Sequence, residues 1–433
     1  MFEPTGSPRD AASVLFNLPG YAVVAAVDGV DDDGQPVRRV MVASAAAEAA
    51  CPACGVLSAR VHQVRRSRLL DIPVAGRVEV VTIRRRFVCA ERRCVKRTFA
   101  EATDQVPLRA KATTRLRAAV LDAVICSGRA VEEVAAAHGV SWWTVQRSVN
   151  AAAVVLPDVD AVLVRRLGID EHRYRSVRFF RDEAGDWKRR EPWMTTLVDL
   201  DTGRVLAVVD GRTSGGVGGW LEARSQAWRD RVQVVAIDPS AAYRKAIVEH
   251  LPQAAVAVDA FHLVKLANEA LTQVRQRLAR QRHGRRGRSR DAAWANRRLL
   301  LRAANTLSPR ALARLKRTFH DDDPTSELAA AWAVKEQLRR LLACTSLATV
   351  HQEKMRLGVY VLAADTAETT RLWDTICTWW TEIEVTVITG VTNAKTEAAN
   401  TSVKHIKRTG RGYRNQDHYK ARILLRSAAR TAA

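Results

Sequence analysis

The hydrophobic pattern changes character along the chain. Before about residue 107 it alternates. Tyr21–Val27 and Val37–Val42 read as two strands around the turn-rich Asp31-Asp32-Asp33-Gly34, and VEVVTIRRRFVC, ending at Cys89, reads as another. The triple Asp could bind a cation, but a solvated loop tip is by far the better reading. From Leu108 to Asn150 the period becomes helical. Leu116, Val120, Leu121 and Val124 recur at helical intervals within Thr113–Cys126, and Val131–Ala137, the turn His138-Gly139-Val140 and Ser141–Val149 follow.

From about Asp160 short strands take over. Leu163–Ile169 runs into Asp170, Trp193–Leu200 and Arg204–Val209 form a hairpin through Asp201-Thr202-Gly203, and Val217–Arg229 is helical. Two uninterrupted runs, Val232–Ile237 and Ala254–Val258, fit strands buried on both faces, and each ends abruptly in an aspartate, Asp238 and Asp259. Ser240–Leu251 between them has helical spacing behind a Pro-Ser start. The order β-β-β-α-β-α-β, with an acid closing the first and fourth strands, is that of an RNase H-like sheet. After His262 the period is helical almost to Glu384.

Composition narrows this picture. The 433 residues carry 69 Lys and Arg against 46 Asp and Glu, a net charge of +23, which points to a polyanionic partner. No stretch approaches the ~20 apolar residues that span a bilayer, and the N-terminus lacks a signal pattern. A cytoplasmic, nucleoid-associated protein without a membrane partner is expected. Of seven cysteines, Cys126, Cys344 and Cys377 read as small buried hydrophobes. Cys51, Cys54, Cys89 and Cys94 form two pairs joined by a β-hairpin, the pattern of a zinc ribbon in which four thiolates close a structural Zn²⁺ site. Arg65, Arg66, Arg68, Arg84, Arg85 and Arg86 around it could face DNA.

The three helices after the ribbon read as a helix-turn-helix. Gly139 supplies the turn's positive φ and Ser141 caps the recognition helix, which offers Ser141, Trp142, Thr144, Gln146 and Arg147 to DNA. Eleven arginines between Arg275 and Arg302 face one carboxylate, Asp291, so an anion between them is expected. Trp294, Trp332, Trp373, Trp379 and Trp380 read as core. Near the end Asn393 is a candidate helix cap, Glu397 lies in the first turn, and Lys404, Lys407, Arg408 and Arg411 form a basic run toward DNA.

A strand-end acid suits a metal ligand but can equally cap the helix that follows. Asp170, Asp238 and Glu397 come from two strand ends and a helix start. Three carboxylates brought together there would repel one another unless divalent cations lay between them. Two Mg²⁺ ions, for which Mn²⁺ may substitute, would then support in-line phosphoryl displacement.

CPACG with the later Cys pair, the helix-turn-helix, GIDE at Gly168–Glu171, AIDPSAAY at Ala236–Tyr243, DAFHLVK at Asp259–Lys265 and NAKTEAANTSVKHIKRTGRGYRN together resemble bacterial insertion-sequence transposases of the ISL-three family. The resemblance runs from Cys51 to about Arg426. It implies a DDE catalytic domain in which Asp170, Asp238 and Glu397 are the first, second and third acids. It also makes Asp259 and His262 an accessory Asp-x-x-His signature. One departure is Glu-Ala-Ala-Asn where Glu-Gly-x-Asn is commoner.

The expected architecture is α/β: an N-terminal hairpin segment (1–48), a zinc ribbon (49–107), a helix-turn-helix (108–155) and an RNase H-like catalytic domain (160–433) with a large helical insertion at about 265–385. The expected function is a DNA transposase that binds inverted-repeat ends, cleaves, and joins the freed 3′-ends to target DNA as a homodimer or higher assembly. The competing expectations are a non-catalytic zinc-containing DNA-binding regulator or decayed transposase, and a structure-specific nuclease.

Overall fold

The computed structural model describes residues 10–30, 34–74, 76 and 78–432. The chain divides into two units, Met1–Leu156 with Ile406–Ala429, and Pro157–His405 with Arg430–Ala433. Asp31, Asp32 and Asp33 lie outside the described residues, and so does the cation reading attached to them.

In the first unit the strands Tyr21–Val30 and Pro36–Ser44 pair antiparallel, as the alternation predicts. Pro36–Ser44 then pairs in parallel with Val78–Val88, which is flanked by antiparallel Val61–Leu69 and Thr98–Ala100. Alternate residues Val40, Val42 and Val80 turn inward onto Phe16 and Tyr21. The helices Thr114–Ile125, Val131–His138 and Trp142–Val154 follow within a few residues of their predicted limits. Thr113 and Ser141 accept from the free amides of the first and third, and Gly139 turns between the second and third at φ 60°.

The helix Gln416–Thr431 supplies Leu425 to the same core as Leu116, Val120, Val134 and Val145. Its buried Arg422 donates to the carbonyls of Val124, Gly128 and Arg129. Those carbonyls lie at and beyond the C-terminus of the first of the three helices, where main-chain acceptors lack helical partners. The sequence reading gave 160–433 wholly to the catalytic domain, whereas Ile406–Ala429 groups with the first unit. Periodicity shows that a helix has an apolar face, not which core receives it.

The second unit is built on a sheet in the order Val205–Asp210, Trp193–Asp199, Arg166–Arg173, Val234–Ile237, Ala255–Val258. The first three strands are antiparallel neighbours; the last two run parallel to Arg166–Arg173. This is the predicted RNase H-like order. Leu167, Ile169, Leu197, Val235 and Ile237 bury one layer against Tyr243, Leu263 and the later helices. The expected helix Val217–Arg229 is two helices, Ser214–Glu222 and Gln226–Arg231, because Ser225 caps a new start by accepting from the Trp228 amide.

From Ala260 to Thr389 the chain is helical, beginning with the 24-residue Ala260–His283. Trp379 is buried, and Trp332, Trp373 and Trp380 pack on the cores as expected. The isolated cysteines are a correction: Cys126 and Cys377 are exposed and Cys344 is half-buried. Cys126 sits at a helix C-cap, and Cys377 lies one residue, about 100° of helix rotation, past the buried Ile376. One further element was not anticipated, a hairpin of Arg178–Arg181 and Trp187–Arg190 between the first two sheet strands.

Candidate active site and metal centres

Parallel pairing of Val234–Ile237 with Arg166–Arg173 ends at Ile237 opposite Ile169. The next residue on each strand is the acid, so Asp238 and Asp170 stand side by side, about 4.8 Å apart in backbone spacing. Asp170 is half-buried, and burial and then the Asp238 charge push its carboxyl up to about 6. Asp238 does not cap the following helix; Ser240 does. Its Oδ2 lies 2.9 Å from His262 Nε2, and its Oδ1 is buried without a hydrogen-bond partner. Asp259 does cap, accepting from the Phe261 amide, and its Oδ2 lies 3.2 Å from His262 Nδ1. His262 thus bridges two carboxylates. Its bonds to Asp238 and Asp259 push it up to about 10, so the ring is an imidazolium at neutral pH.

Glu397 sits half-buried in the first turn of the helix Ala394–Thr409. That helix docks on the Asp170 strand by two asparagines. Asn393 Nδ2 donates to the Ile169 carbonyl at 3.2 Å, and Asn400 Nδ2 donates to Asp170 Oδ2 at 2.7 Å. Glu397 is four residues after one and three before the other, so it shares their face. Gly168 permits the close approach: a Cβ there would overlap Thr396 Oγ1 and lie 2.9 Å from Asn393 Oδ1. Asn393 was expected to cap this helix; its side-chain amide instead serves the strand.

Asn400 is held in turn. Its Oδ1 accepts from Thr196 Oγ1 at 2.8 Å, and Thr196 Oγ1 lies 2.9 Å from buried His172 Nδ1. The order His172, Thr196, Asn400, Asp170 fixes which end of the amide faces the acid. Sequence reasoning missed Asn400 and Thr196. The signal for Asn400 was its place one turn beyond Glu397; Thr196 had none, since its partner is 204 residues away.

Two clusters of possible ligand atoms close to within 4.8 Å among the described residues: Cys51, Cys54, Cys89 and Cys94, and Asp238, Asp259 and His262. Asp170, Asp238 and Glu397 do not form such a cluster, because Asp238 is turned to His262 and Asp170 to Asn400. In the cysteine cluster Sγ–Sγ distances are 3.8 Å for Cys51–Cys94 and 3.6 Å for Cys54–Cys89. A tetrahedron with Zn–S bonds of ~2.3 Å has edges of about 3.8 Å, so the donors already have zinc spacing. The amides of Ala53 and Cys54 draw the Cys51 thiol down to about 7. The short strands Ala49–Ala50 and Leu57–Ser58 and the φ 74° of Gly55 make the first knuckle.

Residues 167–423, more than half of the chain, match the ISL3 DDE profile described as a transposase. The chain belongs to the ISL3 transposase family. Residues 94–153 match the helix-turn-helix domain of the same family, and residues 47–94 match the zinc finger of the IS204/IS1001/IS1096/IS1165 transposases. The chain is 24% identical over 431 residues to the transposase for insertion sequence element IS1001 of Bordetella parapertussis, covering 96% of this chain and 97% of that one. It is 29% identical over 160 residues to the IS1557 transposase of Mycobacterium tuberculosis, covering 36% of this chain and 32% of that one. A Drosophila P element transposase strand transfer complex aligns at TM-score 0.37 and 10% identity, over 73% of this chain and 91% of that one, and at that level nothing further follows from it. An ISL3 transposase is a DNA transposase with a DNA-binding helix-turn-helix, and its DDE domain implies a divalent metal.

On this transposase's recognition helix Ser141 and Arg147 are exposed, and Trp142 and Thr144 are half-buried. Gln146 departs from its expected role. It is buried next to Val145 and donates to Asn150 Oδ1 at 2.8 Å, so it is withdrawn from the outer face. Trp143 is exposed on the same stripe as Arg147. In the ribbon Arg84 donates to the Ala110 carbonyl and Arg85 to Glu101, while Arg65, Arg66 and Arg86 stay exposed. Lys404 and Arg408 are exposed, Lys407 is half-buried, and Arg411 pairs with Glu133 at 3.2 Å. In the arginine-rich stretch Arg277 is neutralised by Glu327 and Glu368, Arg282 by Asp322 and Arg285 by Asp291. Partners distant in sequence therefore remove part of the repulsion that the local run implied. No helix is long and apolar enough to cross a membrane among the described residues.

Proposed function

We propose that this transposase binds the inverted-repeat ends of its element and both cleaves and joins DNA with Asp170, Asp238 and Glu397 as its metal-binding acids. The observation that carries the reading is Asp238 beside Asp170, with Oδ1 buried and unpartnered: two abutting carboxylates with a spare oxygen fit a divalent cation. Two Mg²⁺ ions, or Mn²⁺ in their place, would supply activation of the attacking oxygen and stabilisation of the leaving one. In cleavage a water oxygen bonds to phosphorus and loses a proton while the bond to the 3′-oxygen breaks and that oxygen gains one. In joining the freed 3′-hydroxyl loses its proton and bonds to a phosphorus of target DNA, and the target strand's own 3′-oxygen leaves that phosphorus as a hydroxyl. Asn400 and His262 orient Asp170 and Asp238, and Glu397 completes the acid set from the docked helix. Asp259 acts through His262.

Zn²⁺ held by Cys51, Cys54, Cys89 and Cys94 would close the ribbon and do no chemistry, since four thiolates leave no open position. Ser141, Trp142, Thr144 and Arg147 would meet the repeat, with Lys404, Lys407, Arg408 and Arg411 along the backbone. Pairing of two ends makes the active complex a homodimer or larger, working on chromosomal DNA in the bacterial cytoplasm. The test is incubation of purified protein with end-containing duplex and Mg²⁺ or Mn²⁺. Wild type should nick at the ends and join strands. Equal nicking by Asp238→Asn would overturn the acid assignment, and cleavage without end preference or joining would make the enzyme a nuclease.

A further inference from the structure

The unanticipated hairpin carries a property that the acids and the helix-turn-helix do not use. Its strands are Arg178-Phe179-Phe180-Arg181 and Trp187-Lys188-Arg189-Arg190, so every strand residue is cationic or aromatic. All are exposed: Phe179 by 63%, Phe180 by 48% and Trp187 by 65%. Aromatic rings are ordinarily a protein's largest contribution to its core, and three on one small hairpin in water form a patch that suggests a partner. Pairing sets Phe179 opposite Arg189 and Trp187 opposite Arg181. Phe179 and Trp187 therefore lie diagonally on one face, between two arginines. The Arg181 guanidinium stacks 5.2 Å from the Trp187 ring centre and holds it in place.

The hairpin's position matters as much as its composition. The strand that holds Asp170 runs only three residues further, to Arg173, whose partner across the ladder is Trp193. The hairpin is the loop between those two, rooted at the end of the sheet where Asp170 stands. Its acids, Asp182, Glu183 and Asp186, are confined to the turn, where Asp182 accepts from the Ala184 and Asp186 amides and pairs with Lys188 at 3.2 Å. Trp193 at its root is already covered by the guanidiniums of Arg173 and Arg212 at 4.9 and 4.5 Å.

We infer that this hairpin is a stacking platform for unpaired nucleotides of the DNA strand next to the cleaved phosphodiester. A duplex keeps its base faces in its own stack and offers these rings only edges, whereas an unpaired base offers a π-face and a flanking phosphate. The pairing of rings with arginines matches that alternation of base and phosphate. A second copy of the chain fits poorly: Lys188 and Arg189 are paired with Asp182 and Glu191, and Arg178, Arg181 and Arg190 would face the same three arginines. The inference rests on the reading of the chain as a DNA-cleaving and joining enzyme.

The test uses the full chain, without divalent metal, and two probes: a 30-base-pair duplex with a flush end and the same duplex with a four-nucleotide single-stranded 3′-extension carrying 2-aminopurine at its first unpaired position. Wild type should bind the extended probe about tenfold tighter and quench the 2-aminopurine. Phe179→Ala/Trp187→Ala should bind the flush probe like wild type but lose both the preference and the quenching, and Trp187→Phe should keep most of both. A wild type without preference, a double variant that keeps it, or a double variant whose only change is its oligomeric state would overturn the inference. Because this assay reads no cleavage, a wild type that nicks with metal but shows no preference sinks this inference alone, and a wild type that shows the preference but does not nick sinks the acid assignment alone.

Discussion

The four cysteines and the three acids proposed as cation ligands differ in how complete the polypeptide alone makes each set. The four sulfurs come from Cys51 to Cys94, on two knuckles joined by one hairpin, and already have zinc spacing. The acids come from Asp170, Asp238 and Glu397, on two strands and a helix, and each of the first two is held by a neighbour instead: Asp238 by His262, Asp170 by Asn400. A structural site can close on local geometry because nothing has to enter or leave it. A reactive site must keep an oxygen available, and in the proposed site the buried, unpartnered Asp238 Oδ1 would be that oxygen.

The comparison breaks most severely at the ribbon. If zinc is a folding element, Cys51→Ser should remove bound metal from about one equivalent to under half. It should also unfold the ribbon, because apparent zinc affinities of roughly 10–16 kcal/mol are folding free energy in such small modules. Metal analysis and circular dichroism measure this, while the melting of the catalytic unit should hardly move. A full zinc equivalent in Cys51→Ser would show that the site does not depend on this closure. Asp238→Asn should do the opposite. It should leave the fold intact, relieve Asp170 of a neighbouring charge, and lower end cleavage by at least about a thousandfold.

Asn400 sharpens the contrast. Asn400→Ala should reduce cleavage about 10–100-fold, the usual effect of losing an orienting partner behind a metal ligand. A positioning role also predicts a shift in pH dependence. The Asn400 bond lowers the Asp170 carboxyl against the opposing pull of burial, so its loss should leave Asp170 protonated to higher pH. At subsaturating Mg²⁺, where proton and cation compete for the same oxygens, the acid limb of the rate profile should move up from near 6. A slower enzyme with an unmoved limb would mean that Asn400 merely packs the helix.

The same contrast explains what could be read from the chain in advance. The zinc donors were legible because their spacing is local and few other chemistries use it. The sheet order was legible because Val232–Ile237 and Ala254–Val258 are strands buried on both faces, and each stops at an acid. Glu397 was found by resemblance, since a glutamate in the first turn of a helix has an ordinary electrostatic reason to be there. What stayed hidden depends on contacts across long sequence separations. Thr196 is one polar position in a strand until Asn400 reaches it, Gln146 looked outward until Asn150 accepted its amide, and Arg277 looked unneutralised until Glu327 and Glu368 arrived. The hairpin Arg178–Arg190 was missed for another reason: with no buried residue, it has none of the apolar alternation by which strands are recognised.

The smallest expected effect belongs to His262, and its sign separates a charged clamp from a neutral packing residue. The ring's bonds to Asp238 and Asp259 raise it from its ordinary value near 6.5 to about 10 in the folded protein. Folding therefore favours the protonated ring. Its stabilising contribution is complete below pH 6.5, declines as the pH rises, and is gone above 10. With divalent metal chelated, wild type should melt above His262→Ala at pH 6.5, and the gap should narrow steadily toward pH 10. With 21% of the ring's side chain still in water and the pair screened there, the clamp contributes only about 1 kcal/mol, roughly 2–4 °C for a unit of this size. A neutral imidazole held by packing would give a gap independent of pH. A gap that widened with pH would mean that the ring is deprotonated between its two carboxylates, and that Asp238 is held by something other than charge.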